Sequence, residues 1–321
     1  MKTIRISHPH SFNKSELPPT VLALGYFDGV HLGHQKVVKT AREKADELGI
    51  ACSVMTFDPH PSVVLGKNVA YVEYITPLSE KETLFRELNV DYLYIVNFSK
   101  EFASLSPQQF VDDYIISLNV KHVVAGFDFT YGRFGKGSME TLPLQSRDQF
   151  SQTTVEKLTC NNEKVSSTLI REYIREGEVS KLPQLLGRFY TISGTVVDGE
   201  KRGRTIGFPT ANVQPHADFI IPKLGVYAVR LKVNSKWYNG VCNVGIKPTF
   251  HENNTKPSIE VHLFDFNEDI YRKNVIVEWH VRLRSERKFP SIDELVRQIG
   301  MDKQKAQEYF QKKYEHTCFL S

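Results

Sequence analysis

The sequence predicts two domains of different class: an α/β domain with a parallel sheet, then a mainly antiparallel β domain that ends in a helix. Three observations predict this. The chain has 321 residues, which exceeds the usual span of one hydrophobic core. Its first half alternates short apolar runs with helical patterns, and its second half is a series of short strands separated by Gly, Asn and Pro turns. We expect the domains to cover residues 1–184 and 185–321.

Strands and helices take turns in the first half. The runs TVLALGYF, IACSVMTF, DYLYIVNF and KHVVAGF predict strands, and helical patterns cover 32–48, 78–88 and 107–118 between them. With right-handed crossovers, this alternation predicts a doubly wound, Rossmann-like sheet with helices on both faces. Gly49 is placed to end the first helix, and Gly177 to end a later one, SSTLIREYIREG.

The second half changes to alternating strands. The runs YTISGTVVDG, VYAVRLKV, KWYNGVCNVG, SIEVHLFDF and NVIVEWHVRL predict an antiparallel sheet or small barrel. The segment SIDELVRQIG predicts a C-terminal helix with Ser291 and Glu294 as a capping box. Its apolar face would consist of Ile292, Leu295, Val296 and Ile299.

Composition and charge exclude several classes of protein. Hydrophobic residues make up 40% and charged residues 24%, which is ordinary globular usage. The net charge of +4 and the pI near 8.7 suit anionic ligands such as nucleotides, but the scattered basic residues lack the dense footprint of a nucleic-acid binder. Four cysteines without zinc-ligand spacing fit a reducing compartment. Neither a signal peptide nor a bilayer-spanning run is present, so we expect a cytoplasmic enzyme without nucleic-acid or membrane partners.

The run GYFDGVHLGH, residues 25–34, is the first candidate site. It leaves the first strand and enters the first helix, where open parallel sheets bind ligands. Helix-start amides favour phosphate, and His31 and His34 can face the same way and donate hydrogen bonds to a phosphoryl group. We expect Gly25, Phe27 and Gly33 to approach ATP beside them. In isolation, such a histidine pair more often caps a helix or fills a polar corner.

A second phosphate-binding motif of the first half is VSSTLIR, residues 165–171. Ser167 and Thr168 at a helix start can bind phosphate through hydroxyl and backbone groups. Arg171 follows one turn later, where it can pair with a pyrophosphate leaving group. Alone, the serine run would be an ordinary N-cap.

Together with TFDPHP at 56–61 and GFDFTYGRFGKG at 126–137, these motifs resemble, in order, the FMN adenylyltransferase module of bifunctional riboflavin kinase/FAD synthetases, within the nucleotidylyltransferase superfamily. The resemblance implies that both histidines hold the phosphates of ATP during attack on the α-phosphorus. It also implies that Asp58 and His60 lie beside the flavin or the metal and that Asp128 contacts the nucleotide, although many relatives have asparagine there. Judged from the residues alone, both aspartates are also good turn formers.

The glycine-rich segment GTVVDGEKRGRTIGFPTANV, residues 194–213, is the candidate phosphate loop of the second half. The chain has no Walker loop and no protein-kinase motif set, so a kinase activity must use another scaffold. Glycines such as Gly203 let a basic loop wrap phosphates with its amides. Thr210 and Asn212, two apart on an extended chain, can share Mg²⁺. A Thr-x-Asn without this context is usually a turn or strand end.

The motifs LGVYAV, NVGIKPTF, IEVHLFDFNEDIY and VRLRSERKF then follow in the order found in riboflavin kinases, which the second half resembles. Alternation puts Ile259, Val261 and Leu263 on one strand face and Glu260, with His262 and Phe264, on the other. The resemblance implies that Glu260 is the general base for the riboflavin 5′-hydroxyl and that Arg287 lies near the flavin. An ordinary solvent-facing glutamate and a basic approach to a helix are the plainer alternatives.

The sequence thus predicts an enzyme that phosphorylates riboflavin to FMN and adenylylates FMN to FAD, with ATP as co-substrate and Mg²⁺ as cofactor. It does not predict an oligomeric state. Two other functions stay open. The first is an enzyme of the same superfamily with a different acceptor, such as an adenylyltransferase of another phosphorylated metabolite or a relative of class I aminoacyl-tRNA synthetases, and the second is a flavin- or nucleotide-sensing regulator without catalysis. The missing K-M-S-K-S-type sequence and the attached kinase-like barrel argue against the first, and the intact candidate residues argue against the second.

Overall fold

The computed structural model describes residues 1–66, 72–199, 202–246 and 257–318. The chain divides into two compact units, Met1–Ser167 and Thr168–Ser321. The boundary expected between residues 184 and 185 stays a prediction. Residues 200–201 of the glycine-rich segment and 247–250 of NVGIKPTF lie outside the described residues. Within the described ranges, no helix is long and apolar enough to cross a membrane.

The first unit alternates strands and helices. Its strands are β1 (Lys2–Ile6), β2 (Thr20–Leu24), β3 (Ala51–Asp58), β4 (Tyr92–Asn97), β5 (Val120–Gly126), β6 (Thr130–Tyr131), β7 (Gly137–Ser138), β8 (Ser151–Val155), β9 (Thr159–Cys160) and β10 (Glu163–Lys164). Its helices are α1 (Leu32–Leu48), α2 (Pro61–Leu65), α3 (Leu78–Glu87), α4 (Lys100–Ala103), α5 (Pro107–Val111) and α6 (Leu142–Ser146). A π-helical turn, Asp112–Ile116, continues α5, and a 3₁₀ turn covers Arg133–Gly135.

A six-stranded parallel sheet in the order β1-β4-β3-β2-β5-β8 forms the centre of this unit. Its two faces carry separate hydrophobic clusters. Val21 and Ala23 of β2 belong to the cluster that includes residues of α1 and α3, whereas Leu22 and Leu24 belong to the cluster that includes residues of α4, α5 and α6. The predicted doubly wound sheet with helices on both faces is therefore confirmed.

The strand order reverses at β2. The chain moves from β2 to β3 on one side, and later places β5 on the other side of β2. Crevices at the carboxyl ends of such strands are where open α/β sheets bind ligands. The turn that carries His31 follows β2, and the segment that carries Asp128 follows β5, so the topology brings two predicted motifs to this crevice.

The second unit is a closed barrel with flanking helices. Its strands are β11 (Tyr190–Val197), β12 (Ala211–Pro215), β13 (Gly225–Val233), β14 (Lys236–Gly245), β15 (Ser258–Leu263) and β16 (Asn274–Arg284). Its helices are α7 (Ser167–Glu176), which begins at the last residue of the first unit, α8 (Pro183–Leu186), α9 (Arg202–Thr205) and α10 (Ile292–Cys318), with a 3₁₀ turn at Val179–Lys181.

The barrel closes in the order β11-β12-β15-β14-β13-β16 with antiparallel pairing throughout. Closure depends on the long strand β16, which pairs with β13 on one side and β11 on the other. A closed barrel leaves no unpaired strand edge. This confirms the predicted antiparallel barrel with a C-terminal helix.

The buried face of α10 differs from the predicted one. Ser291 Oγ does accept a hydrogen bond from the Glu294 amide at 3.2 Å, as a cap requires. However, Ile292 is 67% exposed, and Leu295, Val296 and Ile299 are only half-buried. The buried positions recur every fourth residue at Gln298, Asp302, Ala306 and Phe310. The predicted apolar face was wrong because Asp302 forms an ion pair with Arg284 of the barrel wall. This pairing turns the helix face with Gln298 and Asp302 toward the barrel.

Candidate active sites

The turn between β2 and α1 has an unusual backbone. Phe27 and Val30 have φ values of 56° and 39°, in the left-handed region that non-glycine residues rarely occupy. The Phe27 ring folds back over the strand end, where a Cβ at Gly25 would lie 2.8 Å from it. Gly25 and Phe27 therefore shape the turn, and their predicted contacts with ATP stay a prediction.

His31 and His34 form a stacked pair at the start of α1. Their ring centroids are 3.5 Å apart and their planes differ by 17°. The His34 amide donates to His31 Nδ1 at 3.2 Å, so His31 caps the helix and keeps its own proton on Nε2. The two rings face the same way, as predicted, and His31 also caps the helix, which was the alternative interpretation.

Both histidines are held neutral near pH 7. His31 is only 6% exposed, and burial lowers its pKa from 6.5 to about 4. Burial likewise puts the pKa of His34 well below its ordinary value, with further lowering by His31 and Lys81. Uncharged imidazoles can still donate one hydrogen bond each, and Gly33 leaves room, since a Cβ there would lie 3.1 Å from the His31 ring.

Asp28 joins this turn to two neighbouring segments. Its buried carboxylate accepts hydrogen bonds from the amides of Thr76 at 3.0 Å and Ile75 at 3.4 Å. Its backbone carbonyl accepts one from Ser167 Oγ at 2.8 Å. The first residue of α7 is therefore beside the histidine turn. Thr168 is exposed and Arg171 half-buried on the same helix, within the second unit.

The end of β3 carries the predicted flavin contacts. Asp58 is half-buried, and His60 caps α2 by accepting from the Ser62 amide at 3.1 Å. The His60 ring meets Tyr26 edge to face at 4.4 Å, and Tyr26 is hydrogen-bonded to Tyr74. Burial raises the pKa of both tyrosines, and the Asp58 charge adds to this effect. Sequence reasoning missed Tyr26 and Tyr74, because single aromatic residues in loops carry no pattern.

Asp128 follows β5 and is exposed. Its carboxylate pairs with Lys164 Nζ at 2.6 Å, and the same ammonium lies 4.7 Å from the centroid of the Phe127 ring. No sequence pattern connects Lys164 with Asp128, which lie 36 residues apart. Their pairing offsets the negative charge of the Asp128 carboxylate, and the predicted nucleotide contact of Asp128 stays a prediction.

Glu260 lies in a row of polar side chains on the barrel wall. Strand register sets Asn212 of β12 opposite Glu260 of β15, and Glu260 opposite Asn243 of β14. Directly paired residues project to the same face, so three half-buried polar groups stand side by side. Asn212 follows Ala211, whose side chain is buried, and Thr210 directly precedes β12.

The strand alternation predicted for β15 is confirmed in part. Ile259, Val261 and Leu263 are buried as expected. His262 and Phe264 on the opposite face are also buried, because Phe264 packs in a cluster with α10 and His262 Nδ1 lies 2.9 Å from the Pro209 carbonyl oxygen. The outer face is therefore covered at one end and accessible around Glu260.

A cavity of about 450 Å³ opens beside Thr210. Its apolar wall is formed by barrel residues and its rim by Arg204 and the loop after β15. The lining includes Val196, Ala211, Val261, Leu263, Ile270 and Tyr271. The rim carries Arg204 and Thr210 and also the carboxylates of Glu268 and Asp269, so the cavity combines an apolar wall with a mixed polar and charged edge. The loop residues were not predicted as site residues.

The glycine-rich segment approaches the Thr210–Asn212 stretch closely. A Cβ at Gly203 would lie 2.3 Å from the Phe208 carbonyl oxygen, and one at Gly199 would lie 2.1 Å from the Asn212 side-chain nitrogen. A side chain is therefore excluded at Gly203, where the obstacle is backbone, whereas one at Gly199 would have to displace the Asn212 amide. Among the described residues no cluster of three or more His, Cys, Asp and Glu suits a metal, so any cation here would rely on hydroxyl and amide oxygens.

Arg287 lies in the segment between β16 and α10. It donates to Gln298 Oε1 at 2.5 Å, and its guanidinium lies 4.7 Å from the centroid of the Phe289 ring. Gln298 in turn donates to Asp302 at 2.8 Å. The described contacts of Arg287 are thus to the start of α10, and its predicted flavin contact stays a prediction.

Comparison with known proteins relates the two halves to two enzyme families. A family model for FAD synthetase matches residues 13–169, and one for riboflavin kinase matches residues 186–310. A "Bifunctional riboflavin kinase/FMN adenylyltransferase" of Bacillus subtilis is 54% identical over 311 residues, which cover 97% of this chain and 98% of that protein. The protein of the same description from Listeria monocytogenes is 46% identical over 312 residues, covering 97% and 99%.

A solved structure described as "Macrolide-efflux Protein from Streptococcus pneumoniae" is also similar. It is 36% identical with a TM-score of 0.85, and the match covers 94% of this chain and 97% of that one. His31 falls inside the segment matched to FAD synthetase, and Glu260 inside the segment matched to riboflavin kinase.

Proposed function

The chain belongs to the family of bifunctional riboflavin kinases/FMN adenylyltransferases, and we propose how its two candidate sites divide the two reactions. The enzyme phosphorylates riboflavin to FMN with ATP and adenylylates FMN to FAD with release of pyrophosphate. We assign adenylylation to the histidine turn and phosphorylation to the Glu260 row. The observation that carries this assignment is that each site lies within a separate family match.

Adenylylation needs charge stabilisation more than a protein nucleophile. A phosphate oxygen of FMN attacks the α-phosphorus of ATP, the bond from that phosphorus to the bridging oxygen breaks, and pyrophosphate leaves with the electron pair. His31, whose remaining proton is on Nε2, donates to a phosphoryl oxygen, and His34 donates beside it. Loss of one such preorganised donor typically costs about 10²–10³-fold in kcat.

The remaining groups of this site have supporting roles. The amide end of α1, with Gly33, and the start of α7, with Ser167 and Thr168, present N–H groups to the triphosphate. Arg171 pairs with the departing pyrophosphate. Lys164 neutralises Asp128, so this pair contacts the nucleotide without net repulsion.

The flavin of FMN binds at the end of β3. Asp58 and His60 flank it, and the edge-to-face rings of His60 and Tyr26 offer an aromatic surface for its isoalloxazine system. Tyr26 and Tyr74 are hydrogen-bond donors at neutral pH, as tyrosines ordinarily are, and burial raises the pKa of both so that they stay protonated above it as well.

Phosphorylation uses Glu260 as general base. The 5′-hydroxyl oxygen of riboflavin attacks the γ-phosphorus of ATP, its proton passes to the Glu260 carboxylate, and ADP leaves. ATP occupies the cavity beside Thr210 with its base against the apolar wall, while Gly203 and Arg204 contact its phosphates. Arg287 approaches the flavin ring of riboflavin.

Thr210 and Asn212 fit Mg²⁺ because both offer oxygen ligands, and Asn212 lies opposite Glu260 in the strand pairing. When bound, the cation supplies charge neutralisation to the ATP phosphates. The close approach of Gly199 to the Asn212 amide limits where that side chain can turn.

Product analysis of single variants tests the assignment. The purified full chain is incubated with riboflavin, ATP and Mg²⁺, and FMN and FAD are resolved by chromatography. We expect His31→Ala to stop FAD formation while FMN accumulates, because the two reactions use different groups. Glu260→Ala should abolish FMN formation and leave adenylylation of supplied FMN intact. Equal loss of both activities in either variant would contradict the division.

A further inference from the structure

Lys81 of α3 is buried beneath the turn that carries the two histidines. Only 2% of the residue is exposed. Its Nζ donates to the Tyr26 carbonyl oxygen at 2.8 Å and lies 4.1 Å from the centroid of the Tyr26 ring. Lysine is almost never buried to this extent unless its ammonium is satisfied, because transferring a charge out of water is costly. The contact to Tyr26 therefore marks a specific role for this side chain.

The Tyr26 carbonyl receives two hydrogen bonds from below the turn. Besides Lys81, the hydroxyl of the fully buried Thr56 donates to the same oxygen at 2.8 Å. This carbonyl belongs to the peptide that leads into Phe27, whose φ is 56°. A non-glycine residue in this region costs about 1–2 kcal/mol and persists only where surrounding contacts hold it. Thr56 and Lys81 supply such contacts.

Lys81 also brings a positive charge close to the histidine pair. The charged and titratable groups that face His34 are the stacked His31 and Lys81, and both oppose its protonation after burial itself. Around His31 the charges are Asp28, Asp128 and Lys164. The two aspartates raise the pKa of His31. Lys81, in contrast, lowers the pKa of His34 and so disfavours its protonated form.

We propose that Lys81 is a positioning residue for FMN adenylylation, which clamps the Tyr26 carbonyl and presents one positive charge to His34. It touches neither substrate nor reacting atoms and acts through the geometry and the neutrality of the histidines. The proposal rests on the function assigned above to the histidine turn.

The test compares Lys81→Met with Thr56→Val in the full chain. Both variants remove one donor to the Tyr26 carbonyl, but only the first removes a charge. We expect Lys81→Met to lower kcat for FAD formation from FMN and ATP by about 10- to 100-fold, since small displacements of catalytic groups cost this much. The KM for ATP should change little. Riboflavin phosphorylation by the same molecules is the internal control and should be unaffected.

The pH profile of FAD formation shows whether Lys81 acts through its charge on His34 or only supports the fold. Without the neighbouring ammonium, His34 accepts a proton more readily, so the acid limb of kcat/KM for FAD formation should move to higher pH in Lys81→Met and stay in place in Thr56→Val. If Lys81→Met does not fold, Lys81→Gln, which keeps a neutral donor, should show the same displacement with a smaller loss of kcat. An unmoved acid limb, or FAD formation at the wild-type rate, overturns the proposal.

A third variant separates this inference from the assignment beneath it. His34→Ala should lose FAD formation whatever the role of Lys81. If His34→Ala retains it, the histidine site itself is wrong. If His34→Ala loses it while Lys81→Met behaves as wild type, only the role of Lys81 is refuted.

Discussion

Asp302 of α10 is the most informative position for testing how the helix is held on the barrel. It is 2% exposed, and its carboxylate accepts from Arg284 Nε at 2.9 Å and Nη2 at 2.8 Å and from Gln298 Nε2 at 2.8 Å. Asp302→Ala leaves a largely buried guanidinium without its counter-ion. Removing one partner of such a pair costs about 3–5 kcal/mol.

That cost is measurable in the second unit alone. Both tryptophans of the chain, Trp237 and Trp279, lie in barrel strands, so tryptophan fluorescence reports on barrel unfolding. With a urea m-value of about 1–3 kcal/mol/M, we expect the midpoint for Asp302→Ala to fall by more than about 1 M. FMN formation should therefore fail at a lower urea concentration than in the wild type, while adenylylation of supplied FMN keeps its wild-type dependence.

Glu178→Gln is the matched control. It breaks the exposed ion pair with Lys181 at 3.3 Å, and such pairs contribute about 0–1 kcal/mol. If Asp302→Ala shifts the free energy of unfolding by less than about 1 kcal/mol, the buried polar stripe does not hold α10 in the way described.

Three further predictions concern the two sites. His31 has a folded pKa of about 4 against 6.5 when unfolded, so the unfolded chain binds more protons between these values and stability falls as pH drops from 6.5 to 4. His31→Gln lacks this titration, so between pH 6.5 and pH 4 its free energy of unfolding should fall by about 3 kcal/mol less than that of the wild type. Urea titrations across this pH range measure the difference, and parallel curves for the two proteins would contradict the prediction. Gly203→Ala should raise the KM for ATP in FMN formation only, because its Cβ would lie 2.3 Å from the Phe208 carbonyl oxygen; an unchanged KM would show that the loop does not hold phosphate. Lys164→Ala should raise the KM for ATP in FAD formation, because it uncovers the charge of Asp128, and Lys164→Ala with Asp128→Asn should restore it.

The sequence was enough to predict an element wherever its local pattern and its tertiary packing agree. The helix predicted at 32–48 is α1 to the residue, since its apolar repeat faces the sheet and Gly49 ends it with φ of 65°. The two-residue strands β6, β7, β9 and β10 were not predicted. Of the longer strands, those missed were β1, β8 and β12. The first two form the edges of the parallel sheet, where polar sequences such as SQTTV carry no apolar run, and the third is a short strand directly after the PTAN turn.

The histidine turn and Glu260 were predicted as sites because the motifs that contain them resemble those of a known family in the same order. From the residues alone, a helix-capping pair and a solvent-facing glutamate were the plainer interpretations. Lys81 was missed because a lysine in an amphipathic helix is normally solvated, and only the fold puts Tyr26 above it. Asn243 was missed for a similar reason. Its position beside Glu260 depends on the register of β14 and β15, which single-strand patterns do not specify.

The row of Asn212, Glu260 and Asn243 exists only when three barrel strands pair in the correct register. Each of the three side chains comes from a different strand. A register shift of one residue in any of these strands would turn its polar side chain to the opposite face of the sheet and put a neighbouring residue in its place. All three strands must therefore pair in this register before the row exists, so the proposed kinase site is as sensitive to strand pairing as the hydrophobic core of the barrel is.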